Sequence, residues 1–587
     1  MLTFIDAALG QVAAQIGLPT DPLKLFLTFV LSYPFCAVLK RLPDSTPVYK
    51  QLFCLAVSAF YLLGIFDLRD GLCTLMISSL GTYVLAKFVK SPLMPWLVFL
   101  FVMGHLTISH IKRFVDETNP NNVDITGAQM VLVMKLSAFA WNVHDGRRPL
   151  AELSPIQQDR ALKMLPSMLD FFTYVLFFPS LLVGPSFDYS EFRRWLDLSI
   201  FDAEVTAQKI AKPTSWKVNK RRIPRSGRVA GRKALMGVFW IALWVVLSGK
   251  FSTEYLLSDA FLGRSFVVRI FYLWILSFVY RLKYYGAWYL SEGACILSGL
   301  GYNGIDPLTK KRKWDRVQNI DPYRFETGQN TYTMLETWNM NTNKWLKTYI
   351  YLRVTPRGKK PGFRSTLATF LTSALWHGVY PGYYLTFVTG AFMQSCGRYS
   401  RRYIRPFFMA ADQSVPGPYK RYFDLATYIA MQLTMGYAVQ PFVILTFRES
   451  MHVWRSVYFY IHIALFVMTA LFSSRKVTKI ISKALKDRTA RSSKLDQLRF
   501  EVEQARSKMS QDEIKSATEE LPTLQHAPSL GLPDVDVDDT IAMVKQEMEE
   551  DLEELRDFRR RATMRLESAK AATAAGTKRP KTGSRKT

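Results

Sequence analysis

One histidine stands inside a long apolar run. The stretch is Ser373-Ala-Leu-Trp-His-Gly-Val-Tyr-Pro-Gly-Tyr-Tyr384, with Trp376 before His377, Gly378 after it and Pro381-Gly382 one turn further on. An imidazole titrates near neutrality, so a desolvated one beside an opening can take a proton from a hydroxyl. Gly378 leaves such an opening, and the Pro-Gly pair breaks the helix just past the ring. The competing reading is a core histidine hydrogen-bonded to a backbone carbonyl. A second unusual stretch, Thr337-Trp-Asn-Met-Asn-Thr-Asn-Lys-Trp-Leu346, sets Asn339, Asn341 and Asn343 between Trp338 and Trp345. Asparagine amides can hold an imidazole in place or donate to a developing oxyanion. The alternative there is an interfacial helix with its tryptophans at headgroup level.

Three more polar stretches adjoin apolar runs. Residues 142–146 carry Asp145, residues 184–192 open on Gly184-Pro185, and residues 284–294 carry Glu292 inside an apolar segment. A carboxylic acid so placed must be paired or neutral. Arg281 and Lys283 are the cations on its own segment, although both can equally snorkel from a helix end. Other chemistries fit poorly. The sequence has no GxSxG, P-loop, HExxH or dinucleotide fingerprint. The soluble acyltransferase signature, His followed four residues later by Asp, is missing too, because His377 is followed there by Pro381. None of the five cysteines forms a CxxC pair, and four lie in or beside apolar runs. They read as small core residues, so neither a zinc site nor a disulfide framework is expected.

The elements that position these residues are apolar and long. Hydrophobic residues make up 49% of the 587, and aromatics 14%. Most of them fall in runs before residue 473. A spanning helix takes about 20 such residues. Candidate spans are 23–39, 52–66, 72–88, 92–111, 125–143 (with Lys135 at its middle), 168–183, 235–247, 266–280, 285–300, 364–392, 422–447 and 453–472. Some of these are short or broken, and the expected total is about eleven. Broken backbone at membrane depth survives only inside protein or along a wet cavity. The expected fold is therefore an all-α polytopic bundle around a buried chamber. No cleavable signal peptide is evident in residues 1–20, so the first span is expected to act as the targeting segment.

The formal charge is +28. In a soluble chain this would suggest nucleic acid. Here the basic residues cluster between apolar runs, as the positive-inside rule requires, and no nucleic-acid partner is expected. The loop 217–233 holds eight basic residues and no acidic one. Residues 475–499 hold nine basic and two acidic. Two domains follow: an apolar body, 1–472, and a charged tail, 473–587, partly helical or disordered. Within the tail, 539–572 repeats apolar residues at helical spacing, which fits either a partner-binding or self-associating helix or a solvated one.

The motifs form an ordered set. Asp124-Ile-Thr-Gly-Ala-Gln-Met130, Lys135-Leu136, Asp145-Gly146, Gly184-Pro185 with Tyr189 and Phe192, Glu292-Gly-Ala294, Trp338-Asn339 and Trp376-His377-Gly378 with Pro381-Gly382-Tyr383 occur in that order. Together, over roughly residues 10–470, they resemble the membrane-bound O-acyltransferase (MBOAT) family and, within it, the fungal broad-specificity lysophospholipid acyltransferases. One departure is Ala128 before Gln129, where many relatives have proline. The resemblance implies transfer of a fatty acyl group from acyl-CoA to the free sn-2 hydroxyl of a lysophospholipid, in phospholipid synthesis and remodelling at the endoplasmic reticulum membrane. It implies no metal and no cofactor beyond acyl-CoA as co-substrate. The family's histidine and asparagine fall on His377 and Asn339. Supporting or substrate-binding roles fall on Asp145, Glu292, Trp338, Trp376, Asn341 and Asn343. The tail, which carries none of the resemblance, is expected in the cytosol. Competing readings are an MBOAT acting on a sterol, a diacylglycerol or a protein, and a membrane transporter.

Overall fold

The computed structural model describes residues 3–16, 19–116, 123–202, 223–355, 362–410 and 413–507. The first part of the basic loop, 217–222, and the tail from 508, with its helical repeat, lie outside the described residues. The described chain is helical throughout. Its only extended pairings are two isolated bridges, Ile305 with Arg312 and Met409 with Pro416.

The N-terminal half lays down α1 (Thr3–Ile16), α2 (Thr20–Leu39), α3 (Pro47–Ala59), α4 (Arg69–Phe88), α5 (Met94–Val115) and α6 (Thr126–Gly146). Three short helices follow: α7 (Pro155–Arg160), α8 (Met168–Val175) and α9 (Tyr189–Leu196). Their starts are written locally. Ser154 and Gln157 form a capping box on α7, Ser167 caps α8, and Asp188 with Glu191 box the start of α9. Then come α10 (Gly227–Ser248), α11 (Phe266–Ser298), α12 (Thr331–Thr337), α13 (Met340–Trp345), α14 (Phe363–His377) and α15 (Pro381–Tyr399). The last are α16 (Lys420–Ala438), α17 (Gln440–Ile444), α18 (Phe447–Ser456), α19 (Tyr460–Ser473) and α20 (Arg475–Ser507).

Among the described residues, five stretches are long and apolar enough to cross a membrane: α2, α3 with its π-helical extension to Ile65, α4, α5 and α10. The pair α18 and α19, bent by 83°, makes a sixth if it is one broken crossing. The other expected spans are shorter, more polar or interrupted. The two expected at 266–280 and 285–300 are a single 33-residue helix, α11. The long run 364–392 divides at His377 into α14 and α15. Helix α6 is an interior element, with 17 of its 21 residues buried. A helix apolar on every face belongs inside a bundle.

Close helix crossings fix the scaffold. A Cβ on Gly237 of α10 would lie 3.1 Å from the Gly286 carbonyl of α11, and one on Gly286 would lie 3.0 Å from the Gly237 carbonyl. The two backbones touch where neither has a side chain, the small-residue packing favoured between membrane helices. By its contacts the chain forms two compact units, Met1–Ser395 with Tyr428–Ala464, and Cys396–Thr427 with the residues from Leu465 onward. All the candidate site residues lie in the first. In the second, Tyr399 and Tyr403 stack on Phe472, and Arg488 of α20 donates to the carbonyls of Pro406 and Met409 at 2.8 Å each.

Candidate active site

His377 is the last residue of α14. It is followed by Gly378 at φ +138°, a conformation that side-chain-bearing residues rarely adopt. Its ring sits in an aromatic box. The Trp376, Phe442, Phe387 and Tyr383 centroids lie 4.6, 4.9, 5.1 and 5.7 Å away. Tyr383 and Phe387 come from α15, which starts at the Pro381 break, and Phe442 comes from α17. The break therefore folds one apolar run back over its own histidine.

Hydrogen bonding separates this histidine from the others in apolar surroundings. His105 Nδ1 pairs with the Ser78 hydroxyl at 2.8 Å. His110 Nε2 lies 3.2 Å from the Trp376 carbonyl. His144 Nδ1 lies 3.3 Å from Asp145 Oδ1. His462 pairs with the Tyr437 hydroxyl at 2.6 Å and with Thr389 at 3.3 Å. Among the described residues, neither ring nitrogen of His377 has a hydrogen-bond partner. The competing reading of a histidine tied to a backbone carbonyl thus describes His110, not His377.

Asn339 caps α13 in the left-handed conformation, φ +42°, which asparagine tolerates better than most residues. Its Oδ1 accepts from the Thr342 hydroxyl at 2.8 Å, which leaves its amide N–H groups to donate. Its backbone is clamped on the following side. The Met340 N–H donates to the Asn319 carbonyl at 2.8 Å, and Asn341 donates to Asn319 Oδ1 from its backbone and side chain at 3.1 and 3.0 Å. Asn341 is thus a strut. Asn343 contributes a backbone N–H to the Asn339 carbonyl at 3.0 Å. Trp338 packs among Tyr284, Trp288 and Phe325 at 5.8, 5.0 and 5.1 Å. The asparagine helix and the histidine helix meet through Trp345 and Trp376, whose rings are 6.2 Å apart. The Trp345 indole donates to Ser137 Oγ at 2.9 Å and that of Trp376 to the Met130 carbonyl at 2.9 Å, so both are anchored on α6.

The two acids are held in ion pairs. Asp145 is buried at the end of α6. It receives both guanidinium nitrogens of Arg353, with Gln157 Nε2 at 3.1 Å. Arg353 also lies 4.0 Å over the Trp141 ring. Glu292 is paired with Lys233 of α10 at 2.8 Å, and not with Arg281 or Lys283, the two cations weighed for it from the sequence. Arg281 instead bonds Glu326 through two nitrogens at 2.9 and 2.8 Å, and Lys283 lies 3.9 Å over the Tyr280 ring.

Sequence reasoning missed a polar pocket beside α13, lined by Arg160, Ser186, Asp188, Asn341, Lys344 and Tyr349 among others. Arg160 pairs with Asp188 at 2.9 Å, and the Tyr349 hydroxyl donates to Asp188 Oδ1 at 2.8 Å. Lys344 and Arg316 both approach Glu191, at 3.4 and 3.7 Å. Next to Arg160, the Arg194 guanidinium holds the Asp159 carboxyl below the usual carboxylate range. The one signal for this pocket was the polar run after Gly184-Pro185.

Residues 112–440 match the family model of the membrane-bound O-acyltransferase family, MBOAT. The chain belongs to that family. A "Lysophospholipid acyltransferase" of Schizosaccharomyces pombe is 45% identical, over 82% of this chain and 92% of that protein. One of the same description from Saccharomyces cerevisiae is 47% identical, over 78% and 75%. A "Membrane-bound glycerophospholipid O-acyltransferase 2" of Gallus gallus is 28% identical, over 74% and 78%. His377, Asn339, Asp145 and Glu292 all fall inside the matched segment.

Proposed function

We propose that this protein is an acyl-CoA-dependent lysophospholipid acyltransferase with His377 as its general base. The observation that carries the residue assignment is the unpartnered imidazole of His377 in its aromatic box, within a segment whose fungal relatives are named for lysophospholipid acylation.

The chemistry follows from the groups present. His377 takes the proton of the sn-2 hydroxyl as its oxygen attacks the thioester carbonyl. The tetrahedral oxyanion receives a hydrogen bond from the Asn339 amide. Collapse breaks the C–S bond, and the proton on His377 passes to the departing CoA sulfur. A thioester is already activated, so the transfer needs no covalent acyl-enzyme, metal or resident cofactor. Water must be kept out or the thioester hydrolyses. The aromatic box and the interior α6 serve that end. A chamber open to the cytosol for CoA and sideways to the bilayer for the lysolipid meets both substrates' needs. Asp145, Glu292 and Asn341 support the site through the pairs described above.

The enzyme acts as a multi-pass protein of the endoplasmic reticulum membrane. Residues 1–472 form its catalytic body, and the tail from 473 lies in the cytosol. The test is a panel of lysolipids of different headgroup, incubated with labelled oleoyl-CoA and purified protein. Labelled diacyl phospholipid is the expected product. If the label instead enters a sterol, a diacylglycerol or a protein, or CoA is not released, the assignment is wrong. His377→Ala should lower turnover by about 10²–10⁴-fold while the protein stays folded.

A further inference from the structure

His110 lies on α5, far from His377 in sequence, and is 6% exposed. Its Nε2 is 3.2 Å from the Trp376 carbonyl oxygen. A carbonyl only accepts, so Nε2 carries the proton and donates. The last four carbonyls of a helix have no partner within it. In α14 the Ala374 and Leu375 carbonyls are met by the Gly378 N–H at 3.1 and 3.2 Å, and the next, Trp376, is met by His110. The imidazole therefore completes the turn from which His377 projects.

Two further contacts support this. The His110 ring lies against the Gly378 backbone: a Cβ at Gly378 would stand 3.4 Å from His110 Nδ1 and 3.2 Å from the Tyr383 ring. One turn along α5, Arg113 bonds Asp124 Oδ1 at 2.9 Å and Thr126 Oγ1 at 3.2 Å, which fixes that end of α5 to the start of α6. The Trp376 indole is bound to Met130 of the same α6. The residue before His377 is thus held at its side chain by α6 and at its carbonyl by a helix itself tied to α6.

We propose that His110 is a positioning residue for His377, orienting the base through the Trp376 carbonyl without touching substrate. The proposal rests on the reading of His377 as base. A reacting group displaced by about 1 Å can lose on the order of 100-fold in rate, so one hydrogen bond at this turn has leverage.

The test compares His110→Ala, His110→Leu and His110→Gln with His377→Ala, all in purified full-length protein checked by gel filtration. Leucine fills the space but donates nothing. Glutamine can place an amide N–H near the position of Nε2. His110→Ala and His110→Leu should each lose roughly 10- to 100-fold in kcat, with KM for acyl-CoA and lysolipid within about threefold of the parent. His110→Gln should recover most of the loss. If leucine restores kcat as well as glutamine, His110 only packs, and the proposal is overturned. If His110→Ala keeps full kcat while His377→Ala is inactive, the proposal fails and the base assignment stands. An active His377→Ala overturns both.

Discussion

Removing the guanidinium at Arg353 should damage the enzyme through Asp145. The Asp145 side chain is 3% exposed and that of Arg353 14%, so both charges are largely out of water. The pair is bidentate, and the carboxylate also takes Gln157 at 3.1 Å and His144 at 3.3 Å. Arg353→Ala leaves that carboxylate buried with two weaker partners. Breaking a buried pair from one side costs about 3–5 kcal/mol. The remaining contacts to Gln157 and His144 place this case at the lower end, about 3 kcal/mol. Arg353 follows α13 and its π-helical continuation, so its loss also loosens the segment that carries Asn339. The assay is thermal unfolding of the detergent-solubilised protein, with acyl transfer measured on the same samples. Arg353→Ala and Asp145→Asn should each lower stability, and the double variant Asp145→Asn/Arg353→Ala should be less damaged than the sum. A coupling of about 1–3 kcal/mol is expected for groups in direct contact. Should Arg353→Ala unfold at the parent temperature while folded Asp145→Asn is inactive, the carboxylate acts on substrate and the structural argument falls.

Other perturbations separate the remaining roles. Lys233→Met should destabilise the protein by stranding Glu292, and Glu292→Gln in the same chain should restore stability; unfolding temperatures of the two variants decide it. Asn339→Ala should lose roughly 3–4 kcal/mol of transition-state stabilisation, read from kcat/KM. Asn339→Asp should be no better, because a carboxylate repels the oxyanion, and a fully active Asn339→Asp excludes the donor role. Gly378→Ala should lower activity or stability, since φ +138° is strained for a residue with a side chain and the added methyl group would crowd the Tyr383 ring at 3.2 Å; normal turnover would count against the packing described. Protease added to sealed microsomes should cut within 475–499 without detergent, as the positive-inside rule expects of a segment with nine basic residues beside the last apolar run; protection until detergent is added would overturn the proposed cytosolic placement. Truncation at Ser473 should leave acyl transfer intact in washed membranes.

What the sequence disclosed depended on how local the cause was. The cap residues Ser154 and Gln157, and Asp188 and Glu191, lie three positions apart, a local signal for the starts of α7 and α9 that the sequence reading above did not use. The break after His377 was likewise written in Gly378, Pro381 and Gly382. The partners of the buried acids were not, because a hydrogen bond between distant segments leaves no spacing to find. Glu292 needed a cation, and those on its own segment were already engaged elsewhere in the fold. The same blindness divided α11 in two. Arg281 and Lys283 read as a polar interruption between spans. In the folded protein Arg281 is neutralised by Glu326 and bonded to Ser277, and Lys283 rests on Tyr280, so the helix runs through without a break.

The same reasoning separates His377 from the other histidines in apolar surroundings. Burying an imidazole is costly unless its polar atoms are met, so a buried histidine with partners needs no function to explain it. Ser78, the Trp376 carbonyl, Asp145, and Tyr437 with Thr389 account for His105, His110, His144 and His462. His377 is surrounded by rings that offer it no hydrogen bond in the plane of the imidazole. A site that desolvates a base and leaves it unpaired gives up stability that a hydroxyl substrate can restore on binding. Its polar neighbours have other partners: His110 is bonded to the Trp376 carbonyl, and the Trp376 indole to the Met130 carbonyl. If His377 is the base proposed above, its ring is free of hydrogen bonds while the residue before it is bonded at both carbonyl and indole, the arrangement that proton transfer to a bound hydroxyl calls for.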